Sequence, residues 1–143
     1  MITFRWWHNL LDMERKDEEW HLQDVQDELA ELKEASGFID RWSEYSDVVY
    51  TVTRGRWGGF NTPSPLGKWQ FMYGSIYMFP KYSMRWLFFN RAGVKADSKR
   101  KMTEVRNPQK LHKLEHIANK YNVDSKHFTD ICRRQLRYWP LLK

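Results

Sequence analysis

A single cysteine, Cys132, in 143 residues excludes an internal disulfide and suits a reducing compartment, cytoplasmic or nuclear. No run of about 18 apolar residues occurs, so no ordinary membrane-spanning helix and no membrane partner are expected. The first eleven residues carry one Arg and two Trp, and Asp12, Glu14, Asp17, Glu18 and Glu19 follow at once. That is the pattern of neither a signal peptide nor an acid-poor transit peptide. Proline and glycine are sparse, at five and seven residues, and both are missing from Asp17 to Ala35. There is no internal repeat, no low-complexity tract, no Ser-His-Asp motif and no glycine-rich phosphate loop. What is present argues against disorder: 41% apolar and 16% aromatic residues outweigh a charged fraction of 29%. Eight Trp are too many to leave in water, so most belong in a core or an interface.

The charge is unevenly distributed. Residues 1–50 hold 13 Asp/Glu and five Lys/Arg, a net −8, whereas residues 51–143 hold five Asp/Glu and 19 Lys/Arg, a net +14. An acidic half can hold cations, and a basic half can hold phosphates or nucleic acid. Mutual attraction of the halves, within a chain or between subunits, accounts for the same asymmetry.

The periodicity predicts a mostly helical chain. Residues 2–11 read as a helix start or an extended arm. Val25, Leu29 and Leu32 recur at helical spacing between Asp17 and Ala35, and Ser36-Gly37 supplies the stop. Asp40 reads as the N-cap of a second helix reaching about Trp57, with Tyr45, Val48, Val49 and Val52 on its buried stripe. Its β-branched content also suits a strand, but the period is three to four. Gly58-Gly59 and Asn61 to Gly67 form the clearest break. Trp69 to Phe89 reads as one or two helices interrupted by Gly74 and Pro80, the second from about Tyr82 to Asn90. Residues 91–106 look like an exposed basic linker. Asn107-Pro108 reads as a helix start burying Leu111, Leu114, Ile117 and Tyr121. Asp124 reads as the cap of a last helix with Phe128, Ile131, Cys132 and Leu136 inside. The expected organisation is a helical core over residues 1–91 and a basic linker with a helical hairpin over 92–143.

Residues three or four apart share a helix face. Glu28 with Glu31, and Glu44 with Asp47, therefore form two carboxylate pairs on consecutive helices. A short loop makes those helices an antiparallel hairpin, which can bring all four acids onto one wall. Crowded carboxylates repel and hold protons unless a cation sits among them, and hard oxygen ligands of this kind suit Mg²⁺. A second register, Asp24 and Asp27 with Glu44 and Asp47, is also possible.

The run Asp27-Glu28-Leu-Ala-Glu31, then residues 32–43, then Glu44-Tyr-Ser-Asp47 resembles the Glu-Glu-x-x-Glu and Glu-x-x-Asp signature of MazG-type nucleoside triphosphate pyrophosphohydrolases. Asp27 stands where that family usually has Glu. The similarity covers about residues 20–57 and leaves the chain after Arg91 unmatched. It implies an all-α, MazG-like helical bundle, a homo-oligomer, with Mg²⁺ held by Glu28, Glu31, Glu44 and Asp47. It also implies cleavage of a nucleoside triphosphate between its α and β phosphates, with one of these acids or Asp27 positioning the attacking water. Arg54 falls on the stripe of Asp47 and Thr51 and is a candidate for a phosphate oxygen, as are Arg56 and Lys68. Trp20 and Trp42 are candidates to stack on the base.

Two other patterns compete. His112-Lys-Leu-Glu115-His116 fits the His-x-x-Glu-His pattern of inverted zinc peptidases, but a solvated polar face opposite Leu111, Leu114 and Ile117 explains it more simply. Lys95 to Lys101 and Arg133, Arg134 and Arg137, with Tyr138 and Trp139 nearby, could track a nucleic-acid backbone while aromatics stack on bases. The leading expectation is thus a Mg²⁺-dependent pyrophosphohydrolase. The alternatives are a nucleic-acid-binding module or a non-catalytic structural subunit of the same fold.

Overall fold

The computed structural model describes residues 1–139 and Leu142; residues 140, 141 and 143, the end of the expected C-terminal region, lie outside the described residues. The fold is all-α. Six helices run α1 (Arg5–Leu11), α2 (Glu18–Glu34), α3 (Phe38–Trp57), α4 (Lys68–Lys95), α5 (Leu111–Lys120) and α6 (Ser125–Leu136), with no strand among the described residues. No helix among those residues is long and apolar enough to cross a membrane. The chain divides into two compact units, Met1–Pro80 and Lys81–Lys143, with α4 supplying residues to each. Residues 81–91, expected with the N-terminal core, pack instead in the second unit, because Phe88 and Phe89 are fully buried in its core.

In the first unit α2 begins where the Asp17 carboxylate accepts from the Trp20 amide at 2.8 Å, satisfying one free donor of the first turn. It ends at Ala35, in extended backbone. Gly37, not Asp40, then takes the N-cap of α3, at φ 84° and ψ 166°. Only glycine enters that region cheaply, so the turn is set by the residue without a Cβ, and Asp40 falls in the first helical turn. With three residues between them, α2 and α3 pack as an antiparallel hairpin. Val25 meets Val48 and Val52 at its centre, flanked by Leu29, Leu32, Leu66 and Phe71. α1 packs Trp7, His8 and Leu11 inward, with Trp7 edge-on to Tyr50 and Phe79.

Helix α4 begins with half of a capping box, in which the Gln70 side chain accepts from the Gly67 amide at 2.9 Å. It passes through Gly74, where an added Cβ would lie 2.6 Å from the Tyr45 carbonyl oxygen and 2.8 Å from Val49 Cγ2. Gly74 is thus what lets α4 lie against α3. The helix also continues through Pro80, where an interruption was expected. Proline's fixed φ is helical, and the missing N–H costs one bond. Packing on both sides offsets it, through Met78 and Tyr82, both buried.

In the second unit α4 closes at Asp97, whose positive φ of 55° ends the helix while the Ser98 amide bonds back to the Gly93 carbonyl at 3.0 Å. The segment expected to be an exposed linker is partly interior: Met102, Glu104 and Val105 are buried. The Asn90 side chain pins it by donating to the Met102 carbonyl at 2.9 Å. Buried Glu104 is neutralised by Lys120 at 3.0 Å and Arg106 at 3.8 Å. Asn107-Pro108 opens a turn, not the helix. Asn107 Oδ1 accepts from the Gln109 amide at 3.0 Å, and α5 starts at Leu111, whose side chain is exposed. Asp124 does cap α6, accepting from the His127 amide at 2.7 Å. Phe88, Phe89, Leu114, Ile117, Phe128 and Cys132 form the core.

A carboxylate cluster on the α2–α3 hairpin

Helix α2 turns about 100° per residue, so Asp24, Glu28 and Glu31 share one face, with Asp27 rotated off it. Asp27 is exposed and accepts from Gln23 Nε2 at 2.8 Å; it is not part of the cluster. Across the hairpin Glu44 joins Glu28 and Glu31. One carboxylate oxygen from each of the three lies within 4.8 Å of the others. Glu28 and Glu44 are half-buried, Glu31 is exposed, and Asp47, one turn beyond Glu44 on α3, is buried.

Glu28 is the hub. Burial, then the charges of Asp47, Glu31, Asp24 and Glu44, push its carboxyl up from 4.5 to about 8. The other three acids of the two expected pairs thus bear on Glu28, and Asp24 adds a fourth charge. The sequence pattern had offered Asp24 only as part of the second register.

Chemically the donor set fits a hard divalent cation. All the donors are carboxylate oxygens, and twice the Mg–O distance of 2.0–2.1 Å makes about 4.2 Å the widest separation of two ligands on one ion. The three oxygens lie within 4.8 Å of one another, so side-chain rotations would draw them inward onto a shared ion. Glu28 would deprotonate as it became a ligand, since a nearby positive charge favours the carboxylate.

The other expected residues are placed as follows. Arg54 is buried, two turns along α3 from Asp47. Its guanidinium donates to the Glu14 carbonyl at 2.8 Å and lies 4.7 Å over the Trp20 ring. Arg56 donates to the carbonyls of Thr62 at 2.9 Å and Ile2 at 3.1 Å, and burial lowers its pKa. Both arginines therefore tie down backbone carbonyls outside the helices. Lys68 is exposed in the first turn of α4. Trp20 is engaged with Arg54 and with His21. Trp42 donates from its indole to the Tyr73 carbonyl at 2.7 Å and leans against Tyr77 and Phe38.

Beside this framework lies a pair of buried histidines that the sequence did not flag. His8 Nε2 meets Thr53 Oγ1 at 3.0 Å, and that hydroxyl donates to the Val49 carbonyl at 2.8 Å. Buried His8 Nδ1 has no hydrogen-bond partner. Burial and then Arg54 lower His8 to about 3; the same two causes lower His21 to about 4 against a smaller opposing effect of Asp17. Both are neutral structural groups near neutral pH.

His112, Glu115 and His116 are all exposed, and among the described residues the one metal-competent group of three or more is the glutamate trio. Cys132 is fully buried and its thiol is pushed up to about 12 by burial, which makes it core and not a nucleophile. Comparisons with family models, curated proteins and solved structures return no match for this chain.

Proposed function

We propose that this protein is a Mg²⁺-dependent nucleoside triphosphate pyrophosphohydrolase of MazG-like type, giving a nucleoside monophosphate and pyrophosphate. The observation that carries the reading is the convergence of Glu28, Glu31 and Glu44 from two consecutive helices, with the charge of Asp47 acting on Glu28. Glu28, Glu31, Glu44 and Asp47 would hold the metal, which supplies charge neutralisation for a triphosphate and a water acidified enough to attack phosphorus. The carboxylates themselves do the rest. A carboxylate oxygen left free of the metal would accept the water's proton, and the hairpin fixes the geometry of these groups before substrate arrives. Asp27, held by Gln23, is not given a role. Lys68 is the exposed cation best suited to a phosphate oxygen, since Arg54 and Arg56 already serve backbone carbonyls.

A homo-oligomer belongs to the same proposal. Trp69, Met72, Tyr73 and Ile76 form one exposed apolar stripe along α4, and a stripe of this kind is ordinarily covered by a partner surface. Sedimentation of the full chain tests it. A single non-associating species, with Trp69→Ser changing nothing, would refute it.

The enzymatic reading is tested by incubating the chain with a panel of normal and damaged nucleoside triphosphates and assaying pyrophosphate. Release should require a divalent cation and disappear in Glu44→Gln. Metal binding without release across the panel would leave a structural subunit of the same fold. Release that survives Glu44→Gln would end the proposal.

A further inference from the structure

The second unit carries sixteen Lys/Arg against five Asp/Glu, a net +11, and its surface holds an open cavity of about 600 Å³. The cavity arises from local packing. Gly93 lets the returning segment approach α4, its missing Cβ lying 2.8 Å from Met102 Cγ. The space left beside that contact is lined by two kinds of side chain. Arg91, Arg100 and Lys101 supply positive charge, and Leu87, Val94 and Trp139 supply an apolar wall; among the described residues no carboxylate lines it.

The cations are placed by aromatic and backbone contacts, not by acids. Lys101 Nζ lies 4.5 Å over the Trp86 ring. Arg100 lies 4.9 Å over Tyr121 and donates to the Lys120 carbonyl at 2.9 Å. Trp139 is held edge-on to buried Phe88. Leu87 and Val94 are 48% and 78% exposed, so apolar surface stands open beside three charges. A purely acidic partner would leave that surface wet, and a purely apolar ligand would desolvate the cations without compensation. A ligand with a flat ring at one end and phosphate at the other satisfies both. The volume lies in the range of small-ligand sites, roughly 300–1,000 Å³.

We infer that this cavity binds a nucleotide, its phosphate on Arg91 and Lys101 and its base against Leu87, Val94 and Trp139. The site is built wholly from second-unit residues and stands whether or not the carboxylate hairpin is catalytic. The nucleotide has two chemical sources, a free nucleotide or one residue of a single strand, and the experiment separates them.

The full chain, in chelator so that the carboxylate cluster holds no metal, is titrated in two arms. One arm uses AMP and ADP in equilibrium dialysis, with inorganic pyrophosphate as control. The other follows fluorescence anisotropy of a labelled single-stranded oligonucleotide of about ten nucleotides, long enough for one site. Binding is expected in at least one arm and identifies the source: binding of both AMP and the strand marks a general nucleotide site, and binding of the strand alone marks a nucleic-acid site. The double variant Arg91→Ala/Lys101→Ala should weaken it roughly tenfold or more. In the strand arm it should also lower the slope of log affinity against log salt by roughly 1.4, about 0.7 per phosphate contact. Glu28→Gln should leave it unchanged. As a readout free of any folding defect, bound ligand should protect Lys101 of the unaltered chain from acetylation. The inference is overturned by binding in neither arm, by affinity within about twofold in the double variant, by unprotected Lys101, or by pyrophosphate binding as tightly as ADP.

Discussion

Replacing Glu28 by Gln should stabilise this protein in alkaline chelator and weaken its response to divalent metal. The Glu28 carboxyl sits at about 8 in the folded chain against 4.5 ordinarily. The folded state therefore holds this proton more tightly than the unfolded state. Its contribution is fully present below 4.5, is lost as pH rises from 4.5 to 8, and stays lost above that. At about 1.4 kcal/mol per pH unit the ceiling is on the order of 5 kcal/mol. Residual solvent contact and side-chain relaxation bring the expected penalty to about 1–3 kcal/mol. Gln keeps the shape and removes the charge. Urea denaturation across pH 5–9 without metal should show the wild type losing stability relative to the variant, with the variant ahead above pH 8. Adding Mg²⁺ should stabilise the wild type by about 1.4 kcal/mol for each tenfold excess over its dissociation constant, once that constant is exceeded, and the variant much less. Near pH 7 this binding should release a proton from the wild type only. A variant less stable than wild type above pH 8 in chelator would show that Glu28 is not crowded by its neighbours, and the metal site would lose its physical basis.

Three further outcomes follow from the same structure. His8 and His21, lowered to about 3 and about 4, contribute stability that is present above 6.5 and lost as pH falls toward those values; His8→Phe should flatten this acid limb in pH-dependent melting without altering the alkaline limb set by Glu28. Gly74→Ala should destabilise by about 1–3 kcal/mol in urea, even though Ala gains up to about 1 kcal/mol of helix propensity, because the new Cβ meets the Tyr45 carbonyl; a neutral or stabilising result would mean that α4 does not approach α3 this closely. Lys120→Met should cost about 1–3 kcal/mol, because buried Glu104 keeps only its longer pair with Arg106, and Glu104→Gln should cost less; equal costs would mean that the pair is solvated.

How much of this was legible before any coordinates depended on sequence distance. The α2–α3 hairpin is legible because each carboxylate pair is set by a helical repeat of three and the two helices are joined by a three-residue turn. Within it, the finer placement is angular: one residue along the helix Asp27 points away from Glu28, whereas Asp24, four residues away, acts on it. Pro80 was read as a break because local rules count the missing N–H and cannot count buried Met78 and Tyr82 on either side. Residues 91–106 read as exposed because α4 runs on to Lys95 with small Ala92 and Gly93 as its buried members there, and because beyond it the buried Met102, Glu104 and Val105 follow no period. Charge, too, misled there, since Glu104 is matched by Lys120, sixteen positions away. Arg54 and Arg56 fell on plausible faces, but the carbonyls of Glu14 and Ile2 that engage them lie 40 and 54 residues away. The cationic cavity is the extreme case. Its walls come from Leu87 to Trp139, and in the sequence its cations are only part of a basic tract. Residue type alone cannot distinguish a solvated basic face from a pocket; what separates them is the packing of Met102 against Gly93, a contact between two residues that carry no charge at all.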